Sequence, residues 1–331
     1  MVVAKTMHET DYFEPRPMDA QAAAPLVLGC MNFGKRTPKP EALQLIAYAE
    51  ERSIGLYDTA NAYNDGESER ILGEAMKGKR ERFLVATKVG FGRTAGKPEG
   101  LSRSHIRDAC DESLKRLGTD YVDLYYFHVP DHGTPIEESL EAVAELLAAQ
   151  KIKRWAVSNY ASWQILEMLP VADRLGMPRP SVAQQIYNPL IRQLDIEYFR
   201  FSRKYRLHTT IYNPLAGGLL SGKHLQDRST VSGSRFDNNA FYQRRYWSPA
   251  LFEATEKLAR IARAETKTLV QLVYAWAFRR PGVDSVLVGP ASRAHLDAAL
   301  EAQSHVLAKE TLSAIDAVHR ELVGTDTSYA R

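Results

Sequence analysis

The chain has 331 residues, 44% hydrophobic and 25% charged, with 43 basic against 40 acidic side chains and a formal net charge of +3. This composition excludes a disordered or low-complexity chain, and balanced charge without a dense Lys/Arg stripe excludes a nucleic-acid surface. No run approaches the roughly 18 apolar residues of a membrane span, the start MVVAKTMHETDYFEPRP lacks a signal peptide's apolar stretch, and Cys30 and Cys110 match no metal spacing, so a cytoplasmic protein with free thiols and no metal is expected.

Residues 1–24 combine prolines, scattered charges and an Ala run without a period and read as an irregular arm. Beyond them short β-prone runs alternate with longer helical stretches. The runs are LVLGCM (26–31), IGLYDTA (54–60), FLVATKV (83–89), VDLYYFH (122–128), RWAVSN (154–159), SVAQQIY (181–187), LHTTIYN (207–213) and SVLVG (285–289). Between them Ile106, Cys110, Leu114 and Leu117, and again Leu140, Val143 and Leu147, recur at helical spacing with their apolar side chains on one face. Strands alternating with helices pair in parallel through helical crossovers, and eight strands close a (β/α)8 barrel. The expected fold is α/β, a single TIM-barrel domain over residues 25–331. The gap 214–284 is too long for one helix and its turns, so an extended loop and an extra helix are expected between strands seven and eight.

In such barrels the site lies at the C-terminal ends of the strands. There, strand two ends in Asp58 with Tyr63 just beyond, strand three reaches Lys88 and strand four ends in His128. Strand five ends in Ser158 and Asn159, strand six carries Gln184, strand seven ends in Tyr212 and Asn213, and strand eight in Gly289. Singly, each has an ordinary reading: a rim lysine with its partner carboxylate, a surface tyrosine, a structural histidine. A polar set at the same end of every strand is not explained by packing.

The set suits carbonyl reduction. A phenol of pKa near 10 is a poor acid at neutral pH; the Lys88 ammonium is expected to lower it, with Asp58 holding the lysine and His128 orienting the carbonyl. The hydride has to come from a cofactor. Ser158, Asn159 and Gln184 suit a carboxamide, and Tyr212 offers a flat face to a nicotinamide ring. The segment 213–223, with Asn213, Pro214, Leu215, Gly217, Gly218, Leu219, Ser221 and Lys223, offers backbone N–H groups to a pyrophosphate. No G-x-G-x-x-G follows a strand, which argues against a Rossmann site. In 224–250, Phe236, Phe241, Tyr242, Tyr246 and Trp247 suit an apolar substrate pocket together with Met31, while Arg235, Arg244 and Arg245 suit a phosphate or an anionic substrate.

Over residues 25–331 the chain resembles the aldo-keto reductase superfamily, in DTANAYNDGESERILGEAM (58–76), ATKVG (86–90) and VSNY (157–160). HVPDHGTPIEESL (128–140), SNYASW (158–163), YNPLIRQL (187–194), NPLAGGLLSGK (213–223) and YQRRYW (242–247) are similar to its aflatoxin-aldehyde reductase branch. The resemblance implies a barrel, NADPH-dependent reduction of aldehydes or ketones, a catalytic tetrad matched here by Asp58, Tyr63, Lys88 and His128, and a homodimer. It also implies adenosine-phosphate contacts just after strand eight, in VGPASRAHLDAAL (288–300). Ser292 is kept there and Arg293 added, while Ala291, His295 and Ala299 stand where the branch has serine, glutamine and asparagine. Ser292, Arg293 and a protonated His295 at the start of a helix over 292–303 favour NADP(H) through its 2′-phosphate, with NAD(H) left open. The branch's arginine-ended tail is matched by Tyr329 and Arg331, the latter a candidate substrate contact.

Three rival readings are weaker. GGLLSGKH (217–224) begins like a phosphate-binding loop, but His224 stands where a hydroxyl would hold Mg²⁺. HVPDH (128–132) lacks a third clear metal ligand. A cofactor-binding regulatory subunit with little turnover, as the potassium-channel β subunits of this fold are, is the alternative that an intact tetrad argues against.

Overall fold

The computed structural model describes residues 9–94, 97–325 and 327–330. Eight parallel strands close a barrel in chain order. They are β1 (Leu26–Gly29), β2 (Leu56–Asp58), β3 (Leu84–Val89), β4 (Leu124–Phe127), β5 (Trp155–Ser158), β6 (Val182–Ile186), β7 (His208–Tyr212) and β8 (Ser285–Val288). Each lies inside one of the β-prone runs, and the (β/α)8 architecture follows. A two-stranded hairpin, Arg93–Thr94 with Lys97–Pro98, comes after β3 and has no counterpart in the sequence reading.

Strand alternation positions the site, because neighbours on a strand point to opposite faces. Val27, Leu56, Ala86, Leu124, Tyr126, Ala156 and Val182 form one apolar cluster. Two residues further along three of those strands stand Lys88, Ser158 and Gln184. The residues between, among them Val85, Tyr125, Trp155, Val157 and Ala183, join the main core with the helices. Register steps the polar ends around the barrel: Asp58 pairs with Ala86, two residues before Lys88, Lys88 pairs with Tyr126, two before His128, and Ser158 pairs directly with Gln184.

Within the arm expected to be irregular, Thr10–Phe13 form a helical turn. Tyr12 and Phe13 are buried in the same cluster as the lower barrel residues. The Tyr12 hydroxyl accepts the Gly55 N–H at 3.0 Å, and the Arg16 N–H donates to Asp284 Oδ1 at 2.7 Å. The barrel floor is thus closed from outside the repeat. One turn of helix carries too few residues for a period to show.

Helices Arg103–Leu117 and Ile136–Ala148 bury Ile106, Cys110, Leu114 and Leu117, and Leu140 and Val143, the faces read from spacing. The 214–284 gap holds a 3-10 turn, Ala216–Ser221, and helices Ala240–Tyr246, Pro249–Ala264 and Leu269–Phe278. The last is apolar on nearly every side because it packs against both Pro249–Ala264 and Arg293–Ser304. Among the described residues no helix is long and apolar enough to cross a membrane.

Candidate active site

Asp58 and Lys88 meet at the centre of the barrel mouth, both fully buried. The Lys88 ammonium is bonded to Asp58 Oδ1 and donates to the Thr59 carbonyl at 2.7 Å. The Gln184 amide donates to the other Asp58 oxygen at 2.8 Å. Burial pushes the Lys88 pKa down, and the neighbouring carboxylate opposes that shift. Gln184, expected to face a cofactor carboxamide, gives one of its two amide hydrogens to this pair.

Tyr63 lies with Lys88 Nζ 5.2 Å from its ring centroid, and its ring meets His128 edge-on at 5.6 Å. The net shift of the phenol pKa is upward, against the lowering expected from Lys88. Burial, and next the negative charge of Asp58, push it well above 10. The phenol therefore keeps its proton at neutral pH. His128 is 8% exposed, and its Nδ1 is buried without a hydrogen-bond partner. Burial and then the Lys88 charge hold its pKa well below 6.5, so its ring is neutral.

Around this centre, Asn159 sits in the left-handed region (φ 65°) and donates to the His128 carbonyl at 2.9 Å and to Ser158 Oγ at 3.1 Å. It accepts from the Tyr212 hydroxyl at 2.5 Å. Asn213 Nδ2 is buried and without a partner. The turn after Pro214 uses φ of 68° at Gly217 and 108° at Gly218; a Cβ on Gly217 would lie 2.8 Å from the Tyr242 ring. The Gly218 N–H, expected to face a pyrophosphate, bonds instead to the Leu215 carbonyl, as does that of Leu220. The Ser221 hydroxyl donates to Gly218 O at 2.7 Å, and Leu219 is buried in the core.

Positive charge gathers beside the turn. Arg235 donates to Asn32 Oδ1 at 3.1 Å and to Asn213 Oδ1 at 3.4 Å, and Asn32 in turn donates to the Gly289 carbonyl at 3.0 Å. Partial burial, then Arg36 and Arg235, depress the Lys223 pKa. Desolvation, then Lys223, depress that of His295. Ser292 caps helix Arg293–Ser304 by accepting from the His295 N–H at 3.4 Å. The His295 Nδ1 accepts the Ala291 N–H at 3.3 Å, an arrangement of the neutral ring. Arg293 does not join the cluster: it lies over the Tyr48 ring at 3.9 Å, with Nε 3.8 Å from Asp297 Oδ2. Nothing in the sequence around 293 signals Tyr48, which sits on the distant helix Lys39–Glu51.

The substrate candidates separate. Met31 is 36% exposed, and its carbonyl accepts from Asn64 at 3.1 Å. The Tyr242 hydroxyl accepts from Arg235 at 3.4 Å. Trp247 packs on His224, Phe236 and Phe252, and Phe236 and Tyr246 are fully buried; these rings are packing. Arg331 lies outside the described residues. Sequence reading passed over Asn32 and Arg36, both in the loop after β1, and Phe91, whose ring lies 4.9 Å from that of His128. Their only signal was position beyond a strand's C-terminal end.

A parallel barrel with these groups at its mouth places the chain among barrel oxidoreductases acting on carbonyls. Comparison with known proteins is more specific: the chain belongs to the aldo/keto reductase family, whose model matches residues 25–320. It is 34% identical over 304 residues to the human aflatoxin B1 aldehyde reductase member 2, covering 87% of this chain and 83% of that protein. The mouse protein of the same name is 37% identical over 252 residues, covering 72% and 68%. A probable voltage-gated potassium channel subunit beta of Arabidopsis thaliana is 32% identical over 265 residues, covering 78% and 80%.

Proposed function

We propose that this protein is an NADP(H)-dependent aldehyde or ketone reductase in which Tyr63 is the general acid. The observation that carries the reading is a protonated phenol lying beside both a buried lysine–carboxylate pair and a neutral imidazole. A bound nicotinamide supplies the hydride that adds to the carbonyl carbon. Tyr63 gives its proton to the carbonyl oxygen, so the product is the alcohol. The Lys88 ammonium stabilises the phenolate left behind, and Asp58 and Gln184 hold the lysine in place. His128, a neutral imidazole, orients the carbonyl by hydrogen bonding without adding charge.

The residues present fit a nicotinamide dinucleotide. Asn213 Nδ2 and His128 Nδ1 are buried polar atoms awaiting partners. The Arg36, Lys223, Arg235 and His295 cluster suits a 2′-phosphate, which favours NADP(H) over NAD(H). The family resemblance adds a cytoplasmic homodimer, with one barrel domain over 25–331 behind the 1–24 arm.

Separate titrations with NADPH and NADH, followed by loss of nicotinamide absorbance with a panel of aldehydes, test the reading. Turnover with NADPH at lower cofactor concentration than with NADH is expected. Tight nucleotide binding with no turnover of any carbonyl would favour the regulatory-subunit alternative.

A further inference from the structure

A string of polar side chains runs through the barrel from the N-terminal arm to the Asp58–Lys88 pair. His208 on β7 is fully buried; its Nδ1 lies 3.0 Å from the Glu14 carbonyl of the arm and its Nε2 2.9 Å from Ser285 Oγ. Ser285 Oγ lies 2.8 Å from Thr210 Oγ1. The Tyr126 hydroxyl is hydrogen-bonded to both Gln184 and Thr210, and the Gln184 amide donates to Asp58 Oδ2. Strand register builds the string. Gln184 pairs with Thr210 and Thr210 with Ser285, on three neighbouring strands, and His208 stands two residues before Thr210 on the same face. Asp284 docks the arm beside it, accepting the Arg16 N–H and the Thr209 N–H at 2.7 Å each.

The hydrogens of this string have one consistent order. A carbonyl oxygen only accepts, so His208 Nδ1 carries the hydrogen that faces Glu14. Burial lowers the His208 pKa and keeps the ring neutral at pH 7; Asp284 opposes that shift, while Arg203 and Arg16 add to it. Nε2 of this tautomer accepts, and Ser285 gives it a hydrogen. Thr210 then donates to Ser285, Tyr126 donates to Thr210, and the Tyr126 oxygen accepts from the Gln184 amide. The other amide hydrogen of Gln184 is on Asp58. Every donor thus points from the site toward the arm, and no hydroxyl turns without leaving a buried neighbour unpaired. A reversed Gln184 amide would set its oxygen against the Asp58 carboxylate, acceptor against acceptor.

We propose that His208 is a positioning residue for the reaction: docked on the Glu14 carbonyl, it fixes the direction of each hydroxyl up to Gln184, and so holds the Gln184 amide hydrogen on the carboxylate that pins Lys88. The inference rests on the carbonyl-reductase reading, and it makes the N-terminal arm a support of the site at the other end of the barrel.

Steady-state kinetics test it, with NADPH and whichever of benzaldehyde and propanal the wild type reduces faster. The variants are Thr210→Val, Tyr126→Phe, the two combined, His208→Leu and His208→Gln, with NADPH affinity from fluorescence quenching and Tm for each. Thr210→Val and Tyr126→Phe each remove one hydroxyl at nearly constant shape. In both, kcat is expected to fall roughly 2- to 12-fold, the loss of one hydrogen bond, with the aldehyde KM and NADPH affinity kept. The double variant is expected to match the worse single, because a string is broken only once, whereas independent supports would multiply. His208→Leu, at the far end, is expected to lose kcat by the same factor, and His208→Gln to recover most of it, since its amide oxygen accepts from Ser285. An unchanged kcat in His208→Leu, multiplied losses in the double variant, or a His208→Gln no better than His208→Leu each overturn the proposal. So does a loss of kcat that follows Tm and NADPH affinity down together, the mark of a purely structural role. If His208→Leu does not fold, the Thr210 and Tyr126 variants decide. A wild type that reduces neither aldehyde nor any other carbonyl refutes the reductase reading, and the proposal with it; wild-type turnover with kcat unmoved in the variants refutes the proposal alone.

Discussion

Lys88 and Asp58 face each other inside the barrel, 0% and 2% exposed, while Arg36, Lys223, Arg235 and His295 gather at its rim. Among the described residues none of those four belongs to an ion pair, and the charges nearest Lys223 are positive. The inner pair is electrostatically complete: each ion is the other's compensation for lost water. The rim cluster is complete only with an anion. The first region should therefore respond to mutation through folding and chemistry together, and the second through ligand affinity alone.

The largest expected effect comes from breaking the inner pair. Lys88→Met leaves the Asp58 carboxylate buried and uncompensated, which costs about 3–5 kcal/mol and removes the charge that stabilises the Tyr63 phenolate. Denaturant unfolding and kcat should both collapse. Adding Asp58→Asn should restore stability without restoring turnover. A single variant as stable as the wild type would contradict the pairing.

Tyr63→Phe separates the two consequences. It keeps the ring, the Lys88 contact and the His128 contact, and removes only the transferable proton. kcat should drop by at least about 10²-fold, with NADPH affinity and Tm little changed. Retention of most of the wild-type kcat would remove Tyr63 from the mechanism.

At the rim, Lys223→Ala should raise the NADPH dissociation constant by about tenfold or more, the loss of one charge-assisted contact, and leave NADH nearly unaffected. Arg293→Ala should change either by less than about fivefold, because its guanidinium is already placed on Tyr48 and Asp297 at an exposed site. Fluorescence titration with both cofactors checks this, and the reverse ranking would move the phosphate site to the start of the helix.

That contrast also marks what the sequence made legible. Asp58, Lys88, Ser158 and Gln184 could be read because alternation along a strand and the barrel's polarity fix both the face and the end on which they stand. Helix faces such as Ile106–Leu117 were legible for the same reason, a period. Arg293, expected at a cofactor phosphate, lies instead on Tyr48 in the free protein, some 245 positions earlier in the chain and signalled by no local pattern, and Arg36 went unread because it sits in a loop with no period. The direction of the Tyr63 shift was misjudged because residue identity shows which charges are near but not how deeply the phenol is buried. Burial, the largest cause of that shift, is a property of the closed barrel.

The smallest expected effect is on pH, and it sharpens the comparison. In the free protein the His295 pKa lies below 6.5, set by desolvation and then by Lys223, so the ring is neutral near pH 7 and accepts the Ala291 N–H. A bound 2′-phosphate favours the charged ring and raises that pKa. Binding then takes up a proton, and NADPH affinity should rise as pH falls below 6.5, by at most about tenfold per pH unit. The phosphate itself gains a proton near pH 6, which works the other way, so the informative quantity is the difference between the wild type and His295→Gln. The same depressed pKa has the opposite sign for the free fold. Below 6.5 the unfolded chain takes the proton that the folded chain refuses, so stability is lost as pH falls from 6.5 toward the folded value, and His128, also depressed by burial, adds to that loss. Acid should thus loosen the free protein and, through His295, tighten it on NADPH. Identical NADPH affinity profiles for the wild type and His295→Gln between pH 5.5 and 7.5 would take His295 out of the phosphate site.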